Sequence, residues 1–186
     1  MRARPALLVV ALVSPAAGAG TGCARPATPV SITAAPTRGS GESGETEELL
    51  QAAITTPITT LSGAPADLGQ VTRGRVALVS FWATWCDSCL KEMDALNRLA
   101  ERTGGRSDAL VVGVAVGESP ANVDRFVRHR ALGYPQLVDE QFRLADALGQ
   151  RRVPATLVLD RRGRVVHRGD ALDAASLDAF RKALAE

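Results

Sequence analysis

Two long apolar runs constrain the fold of this chain more than any other feature. Residues 75–83 read RVALVSFWA and residues 109–117 read ALVVGVAVG, with almost no polar interruption. A strand covered on both faces has this pattern, because no position along it meets water. Between the runs, Met93, Leu96 and Ala100 recur three and four residues apart, as on one face of a helix. The chain is therefore predicted to contain a strand–helix–strand unit.

The periodicity after this unit extends it into an α/β domain over residues 57–186. The further predicted elements are helices at 120–130, 142–148 and 173–185, a short strand at 135–139, and a hairpin over 155–169 that turns at 160–163. Strands alternating with helices and ending in a hairpin indicate a central mixed β-sheet flanked by helices on both faces.

The first residues have the order of an export signal. Arg2 and Arg4 precede the apolar run from Ala6 to Val13, and small residues follow as far as Cys23. The apolar run is shorter than the ~20 residues that a membrane-spanning helix needs. We therefore predict a signal peptide over residues 1–23.

The small residues before Cys23 are similar to a bacterial lipobox, in which the cysteine is lipidated and becomes the first mature residue. A lipobox favours Leu three positions before the cysteine, where this chain has Gly20, and the segment Ala17-Gly18-Ala19 offers an ordinary cleavage site. The preferred prediction is a lipoprotein anchored through Cys23 to the outer face of the cell membrane. The alternative is a secreted protein without lipid.

Composition changes again between this segment and the domain. Residues 24–56 are rich in Pro, Thr, Ser, Gly and Glu and are predicted to form a flexible linker, with a short helix at 45–54 as an option. The whole chain has 22 basic and 20 acidic residues, and no basic stripe stands out. We therefore expect no nucleic-acid partner.

The sequence FWATWCDSC places Cys86 and Cys89 where the first buried strand gives way to the helix. A helix N-terminus favours negative charge, so a thiol there loses its proton readily and becomes a good nucleophile. Cys86, at the junction, should be exposed, and Cys89 should be shielded within the first turn. This setting predicts a redox-active dithiol.

Two other roles for the cysteine pair are a zinc half-site and an inert disulfide. Zinc takes about four ligands, and the remaining candidates are Cys23, His129 and His167, which are far apart in the sequence. A two-residue spacer closes too small a loop to restrain the unfolded chain much. We therefore predict no metal site.

A proline before the hairpin strand also indicates redox chemistry. RRVPAT places Val153-Pro154 directly before that strand. A cis bond there would leave the backbone of Val153 beside the cysteines, free to pair with an extended peptide. The alternative is a trans proline that opens an edge strand.

Together, FWATWCDSC, VAVGES at residues 114–119 and VPAT at residues 153–156 resemble the extracytoplasmic thioredoxin-like oxidoreductases of the TlpA/ResA family. The resemblance covers residues 57–186 and implies a thioredoxin fold. It implies that Cys86 attacks a substrate disulfide, Cys89 resolves the mixed disulfide, Trp85 shields the site and Pro154 faces it in cis. It implies no cofactor beyond the Cys86–Cys89 disulfide.

The same resemblance implies the partners. These are protein thiols and disulfides, among them apocytochrome c before haem attachment, and a membrane electron donor of the thiol-reductase type. We expect the protein to reduce rather than oxidise its substrates. The alternatives are a non-catalytic peptide-binding module of the same fold and a redoxin-type peroxidase, which would need Thr at position 83, where this chain has Ala83.

Three residues qualify the resemblance. Ser88 replaces the proline that many relatives have before the second cysteine, and Ser80 replaces the buried Asp of thioredoxin. Glu92, three residues past the second cysteine as in ResA-type members, is then the candidate for proton transfer with Cys89. The alternative for Glu92 is a solvated position on the helix surface.

Overall fold

The computed structural model describes residues 41–186, which form seven strands and six helices. The strands are β1 (Ile58–Thr60), β2 (Pro65–Ala66), β3 (Val76–Trp82), β4 (Ala109–Val116), β5 (Gln136–Asp139), β6 (Ala155–Leu159) and β7 (Val165–Gly169). The helices are α1 (Gly41–Ile54), α2 (Leu68–Thr72), α3 (Asp87–Thr103), α4 (Pro120–His129), α5 (Arg143–Ala147) and α6 (Ala174–Ala185).

The strands form one mixed sheet in the order β2-β1-β5-β4-β3-β6-β7. The central strand β3 pairs in parallel with β4 and antiparallel with β6, and β4 pairs in parallel with β5. Every residue of β3 and β4 is buried, as the two apolar runs predict. The predicted mixed sheet and thioredoxin fold are confirmed.

Helices cover both faces of this sheet. Successive side chains of a strand point to opposite faces, so Phe81 and Trp82 mark the two sides of β3. The Trp82 ring lies 5.4 Å from the ring of Phe126 in α4. Phe81 lines a groove together with Ala145 in α5. Helices α4 and α5 therefore pack on opposite faces.

The helix α1 lies within the predicted linker. The optional helix at 45–54 is present and starts at residue 41. Its last turn joins the core, since Ala53 and Ile54 are buried and Leu50 packs against them. The helical option, rather than an extended linker, therefore describes residues 41–54, and the apolar side chains of its last turn gain burial against the domain. The signal peptide, Cys23 and the rest of the predicted linker lie outside the described residues.

Three further elements are not predicted from the sequence: β1, β2 and α2, each of which has five residues or fewer. Such short segments carry too little periodicity to be recognised. Apart from the earlier start of α1, the other predicted elements are present within one or two residues of their predicted ends. In residues 41–186, no helix is both long enough and apolar enough to cross a membrane.

Candidate active site

The cysteines lie at one edge of the sheet, where three central strands meet. β3 ends at Trp82 and β4 runs parallel to it, so both strands end at this edge. β6 is antiparallel to β3 and begins there, with Ala155 paired to Phe81. Segments far apart in the sequence therefore converge around Cys86. The Val153–Pro154 peptide bond just before β6 is cis, which confirms that prediction.

Cys86 and Cys89 form a disulfide at the N-terminus of α3, with their Cα atoms 5.3 Å apart. Cys86 is the N-cap residue, and its Sγ accepts a hydrogen bond from the backbone N–H of Cys89 at 3.2 Å. The Oγ of Ser88 lies 3.4 Å from the same sulfur. A disulfide sulfur has no proton, so the Ser88 hydroxyl is the donor in this contact.

The exposure of the cysteines differs in part from the prediction. Cys89 is shielded, with 2% of its surface exposed, but Cys86 is only 6% exposed. Cys86 is thus buried in the disulfide form, because its sulfur turns towards Cys89 and caps the helix instead of pointing to solvent. The neighbouring Trp85 is 64% exposed, so its indole borders the site and remains open to solvent.

A carboxylate holds the loop that leads to Cys86. Glu118 follows β4, and its two oxygens accept hydrogen bonds from the backbone N–H and the hydroxyl of Thr84, both at 2.7 Å. Charge-assisted bonds of this length are about twice as strong as neutral ones. Glu118 therefore fixes the backbone two residues before Cys86, a role that sequence inspection did not assign.

A groove of about 290 Å³ borders the loop that leads to Cys86. It runs between Trp85, next to Cys86, and Val153, next to the cis-proline. The apolar lining residues are Phe81, Trp85, Val116, Phe142, Ala145 and Val153, and the polar ones are Asp146, Gln150, Arg151 and Arg152. A concave surface with an apolar floor and a few polar groups suits the binding of a peptide segment.

One wall of the groove depends on a glycine. Phe142 has a left-handed backbone (φ 58°) and is 42% exposed. Its ring lies so close to Gly117 that a Cβ on Gly117 would approach Phe142 Cζ to 2.4 Å. Gly117 also has φ +71°, a conformation that favours glycine. Both features depend on tertiary packing and cannot be recognised from the local sequence.

Glu92 lies on α3 and is partly buried. Burial raises its pKa above the ordinary value, a backbone hydrogen bond at Leu172 opposes this shift, and the charge of Asp173 adds to it. Oε2 of Glu92 is buried without a hydrogen-bond partner within the described part of the chain. Glu92 is thus not a fully solvated surface residue, and its carboxyl holds a proton more readily than an exposed one.

Tyr134 lies close enough to Glu92 for the two to interact electrostatically. Burial raises the pKa of Tyr134 to about 12, with the charge of Glu92 contributing in the same direction. The Gln136 side chain opposes this shift, but the buried Tyr134 hydroxyl, like Oε2 of Glu92, makes no hydrogen bond of good geometry among residues 41–186.

Ser80 occupies the position at which thioredoxin has a buried Asp. Ser80 is itself buried, with 2% of its surface exposed, so no carboxylate stands at that position.

No group of three or more His, Cys, Asp or Glu side chains within the described residues is arranged to hold a metal ion.

Comparison with known proteins agrees with this site. ResA, a thiol-disulfide oxidoreductase of Geobacillus thermodenitrificans, is 32% identical over 93 residues, which cover 50% of this chain and 53% of ResA. The thioredoxin-like protein YneN of Bacillus subtilis is 33% identical over 105 residues, 56% of this chain and 61% of YneN. The chain thus spans little more than half the length of these curated relatives.

A solved structure extends the similarity to the fold. The secreted thiol-disulfide isomerase of Corynebacterium glutamicum has a TM-score of 0.62 at 25% identity, over 71% of this chain and 84% of that protein. The resemblance to the TlpA/ResA group is confirmed by the ResA relatives. The model of the AhpC/TSA family matches residues 50–168, most of the described domain. The chain therefore belongs to the AhpC/TSA family, among its thioredoxin-like members.

Proposed function

We propose that this protein is a thiol–disulfide oxidoreductase whose reactive group is the Cys86–Cys89 pair. The observation that carries the proposal is the position of this disulfide at the N-terminus of α3, where Trp85 before Cys86 and Val153 before cis-Pro154 line the same groove. A helix N-terminus stabilises a thiolate, and an adjoining groove brings a substrate disulfide to it.

The reaction starts from the reduced dithiol. The Cys86 thiolate bonds to one sulfur of the substrate disulfide, and the other substrate sulfur leaves as a thiolate that takes up a proton. Cys89 then loses its proton and attacks Sγ of Cys86, which releases the first substrate sulfur. Two electrons pass to the substrate, and the protein is left with the Cys86–Cys89 disulfide.

Four neighbouring residues support this sequence of steps. Glu92 accepts the proton of Cys89 during resolution, a role for which its partly buried carboxyl and raised pKa are suited. Trp85 and Val153 line the groove, and the backbone of Val153 pairs with an extended substrate segment ahead of Pro154.

The direction of electron flow that we propose is reduction of protein disulfides, with apocytochrome c among the substrates. Each turnover leaves the protein oxidised, so a membrane dithiol donor of the thiol-reductase type must restore it. The relative named ResA is a thiol-disulfide oxidoreductase, which supports the reaction class. A reduction potential above roughly −180 mV, in the range of strong oxidants, would contradict the reducing direction.

For the peroxidase alternative, a threonine hydroxyl would be needed beside the reactive cysteine. Ala83 occupies the required position and is fully buried. The hydroxyl of Thr84, one residue away, already donates to Glu118. Because the Thr84 hydroxyl is already bonded to Glu118, it is not free to act beside the reactive cysteine, which favours disulfide exchange over peroxide reduction.

For the location, we propose export and anchoring at the outer face of the cell membrane through lipid on Cys23. The support is the order of charge, apolar core and small residues in the first 23 positions, and the Corynebacterium neighbour is itself described as secreted. The protein should partition with membranes, and Cys23→Ala should become soluble. A mature N-terminus at Gly20, found by mass spectrometry, would contradict lipidation.

Insulin-disulfide turnover tests the reaction class. Wild-type protein should reduce insulin with dithiothreitol as donor, and Cys86→Ser should lose that activity. Ser107→Ala, a control change at an exposed position before β4 that keeps both cysteines, should retain it. Peptide binding without turnover by the wild type would favour the non-catalytic module.

A further inference from the structure

Two adjacent arginines stand at the rim of the groove. Arg151 and Arg152 line it and directly precede Val153 and the cis-proline. Both side chains are exposed. A substrate segment that pairs with the backbone at Val153 would extend alongside the residues that precede it. Its side chains would therefore pass close to the guanidinium groups of Arg151 and Arg152.

Neither arginine has an ionic partner among the described residues 41–186. Six arginines or lysines of residues 41–186 form ion pairs with aspartates, for example Arg106 with Asp108 and Arg128 with Asp124, but Arg151 and Arg152 are not among them. The one acidic residue that lines the groove is Asp146. The lining thus has two positive groups against one negative group, and no carboxylate of residues 41–186 lies within ion-pair distance of either arginine.

We propose that Arg151 and Arg152 give the groove a preference for substrate segments with acidic side chains next to the reacting cysteine. The guanidinium group binds carboxylates through paired N–H donors. The apolar floor below would take an aliphatic or aromatic side chain of the same segment. This inference rests on the proposed function and adds the substrate class.

The expected size of the preference follows from the exposure of the arginines. An exposed ion pair changes affinity by a factor of about 1.4 to 5. Two attractive pairs for an acidic peptide, set against two repulsions for a basic one, give a ratio of about tenfold in kcat/KM at low salt. The difference should lie in KM, because the charges act on binding, and it should shrink at high salt through screening.

The test uses three disulfide-bonded peptides that are identical except for the residues flanking the cysteine, which are Glu, Ala or Lys. Wild-type protein should prefer the Glu peptide over the Lys peptide. Arg151→Glu with Arg152→Glu should reverse the order, and Arg151→Lys with Arg152→Lys should keep it. The control is Arg98→Glu with Arg102→Glu, the same charge change on exposed positions of α3 outside the groove lining, and it should leave the ratio unchanged.

Equal kcat/KM for the Glu and Lys peptides would overturn the inference, as would a preference that survives the double reversal at the groove. Turnover of the Ala peptide separates this failure from that of the proposed function. If the Ala peptide is reduced without any charge preference, the inference alone is wrong. If none of the three peptides is reduced by wild-type protein, the proposed function fails and the inference fails with it.

Discussion

The contact between Glu118 and Thr84 offers a quantitative test of how the reactive loop is held. Glu118 accepts two hydrogen bonds from Thr84, each 2.7 Å long and partly buried. A hydrogen bond to a charged group contributes about 1.5–3 kcal/mol. Because both groups retain some access to water, we take about 1–1.5 kcal/mol for each bond, at or just below the lower end of that range. Removing both bonds with Glu118→Ala should lower the free energy of unfolding by about 2–3 kcal/mol.

The two bonds can be separated by changing Thr84. Thr84→Val keeps the shape of the side chain and the backbone N–H bond but removes the hydroxyl bond, so it should cost about 1–1.5 kcal/mol. Each single variant breaks the bond between the Thr84 hydroxyl and Glu118, but the double variant can lose that bond only once. The sum of the two single losses of unfolding free energy should therefore exceed the loss in the double variant by about 1 kcal/mol.

Urea unfolding of the oxidised proteins would measure these differences. Glu101→Ala, a glutamate exposed on α3, is the matched control and should change stability by less than about 0.5 kcal/mol. A Glu118→Ala effect as small as that of the control would refute the idea that this carboxylate holds the loop. Strict additivity of Thr84→Val and Glu118→Ala would refute the direct contact.

Three further predictions concern single residues of the site. Burial raises the pKa of Glu92, so ionisation of this group destabilises the fold as pH rises through that pKa. The unfolding free energy of Glu92→Gln should therefore equal that of wild type at about pH 4 and exceed it at about pH 8. Unfolding free energies that differ by the same amount at every pH would contradict this. Gly149 has a similar φ of +66° but no neighbour within 4 Å of an added Cβ, so Gly117→Ala should lower the unfolding free energy more than Gly149→Ala does. Gly117→Ala should also raise KM for peptides by displacing Phe142. Equal losses of stability in urea would exclude the clash. Ser88→Ala should move the pH midpoint of Cys86 alkylation upwards, since the hydroxyl beside Sγ would stabilise a thiolate; an unmoved midpoint would show that the contact has no influence on the reduced form.

The parts of the site that the sequence predicts are those with a local cause. Cys86 and Cys89 are recognisable because a buried strand and a helical pattern meet between them. Pro154 is recognisable because it stands before a strand, where proline is otherwise unfavourable. The two central strands are also recognisable locally, because a strand buried on both faces requires an uninterrupted run of apolar residues.

The missed parts depend on contacts between distant segments. Glu118 lies 34 residues from Thr84, and nothing in either segment alone indicates their hydrogen bonds. The groove wall requires a left-handed Phe142 against Gly117, a backbone conformation that phenylalanine rarely adopts. Cys86 is buried although the junction predicts exposure, because the direction of its sulfur is set by the disulfide and by capping of α3.

The central claim is that Cys86 attacks the substrate and Cys89 resolves the intermediate, and trapping of mixed disulfides tests it most directly. Without Cys89 the bond between Cys86 and the substrate has no neighbouring thiol to break it. Cys89→Ser, purified from its native compartment under non-reducing conditions, should therefore carry covalently bound proteins that reductant releases, and Cys86→Ser should carry none. Bound proteins on Cys86→Ser and none on Cys89→Ser would reverse the two roles and contradict the account.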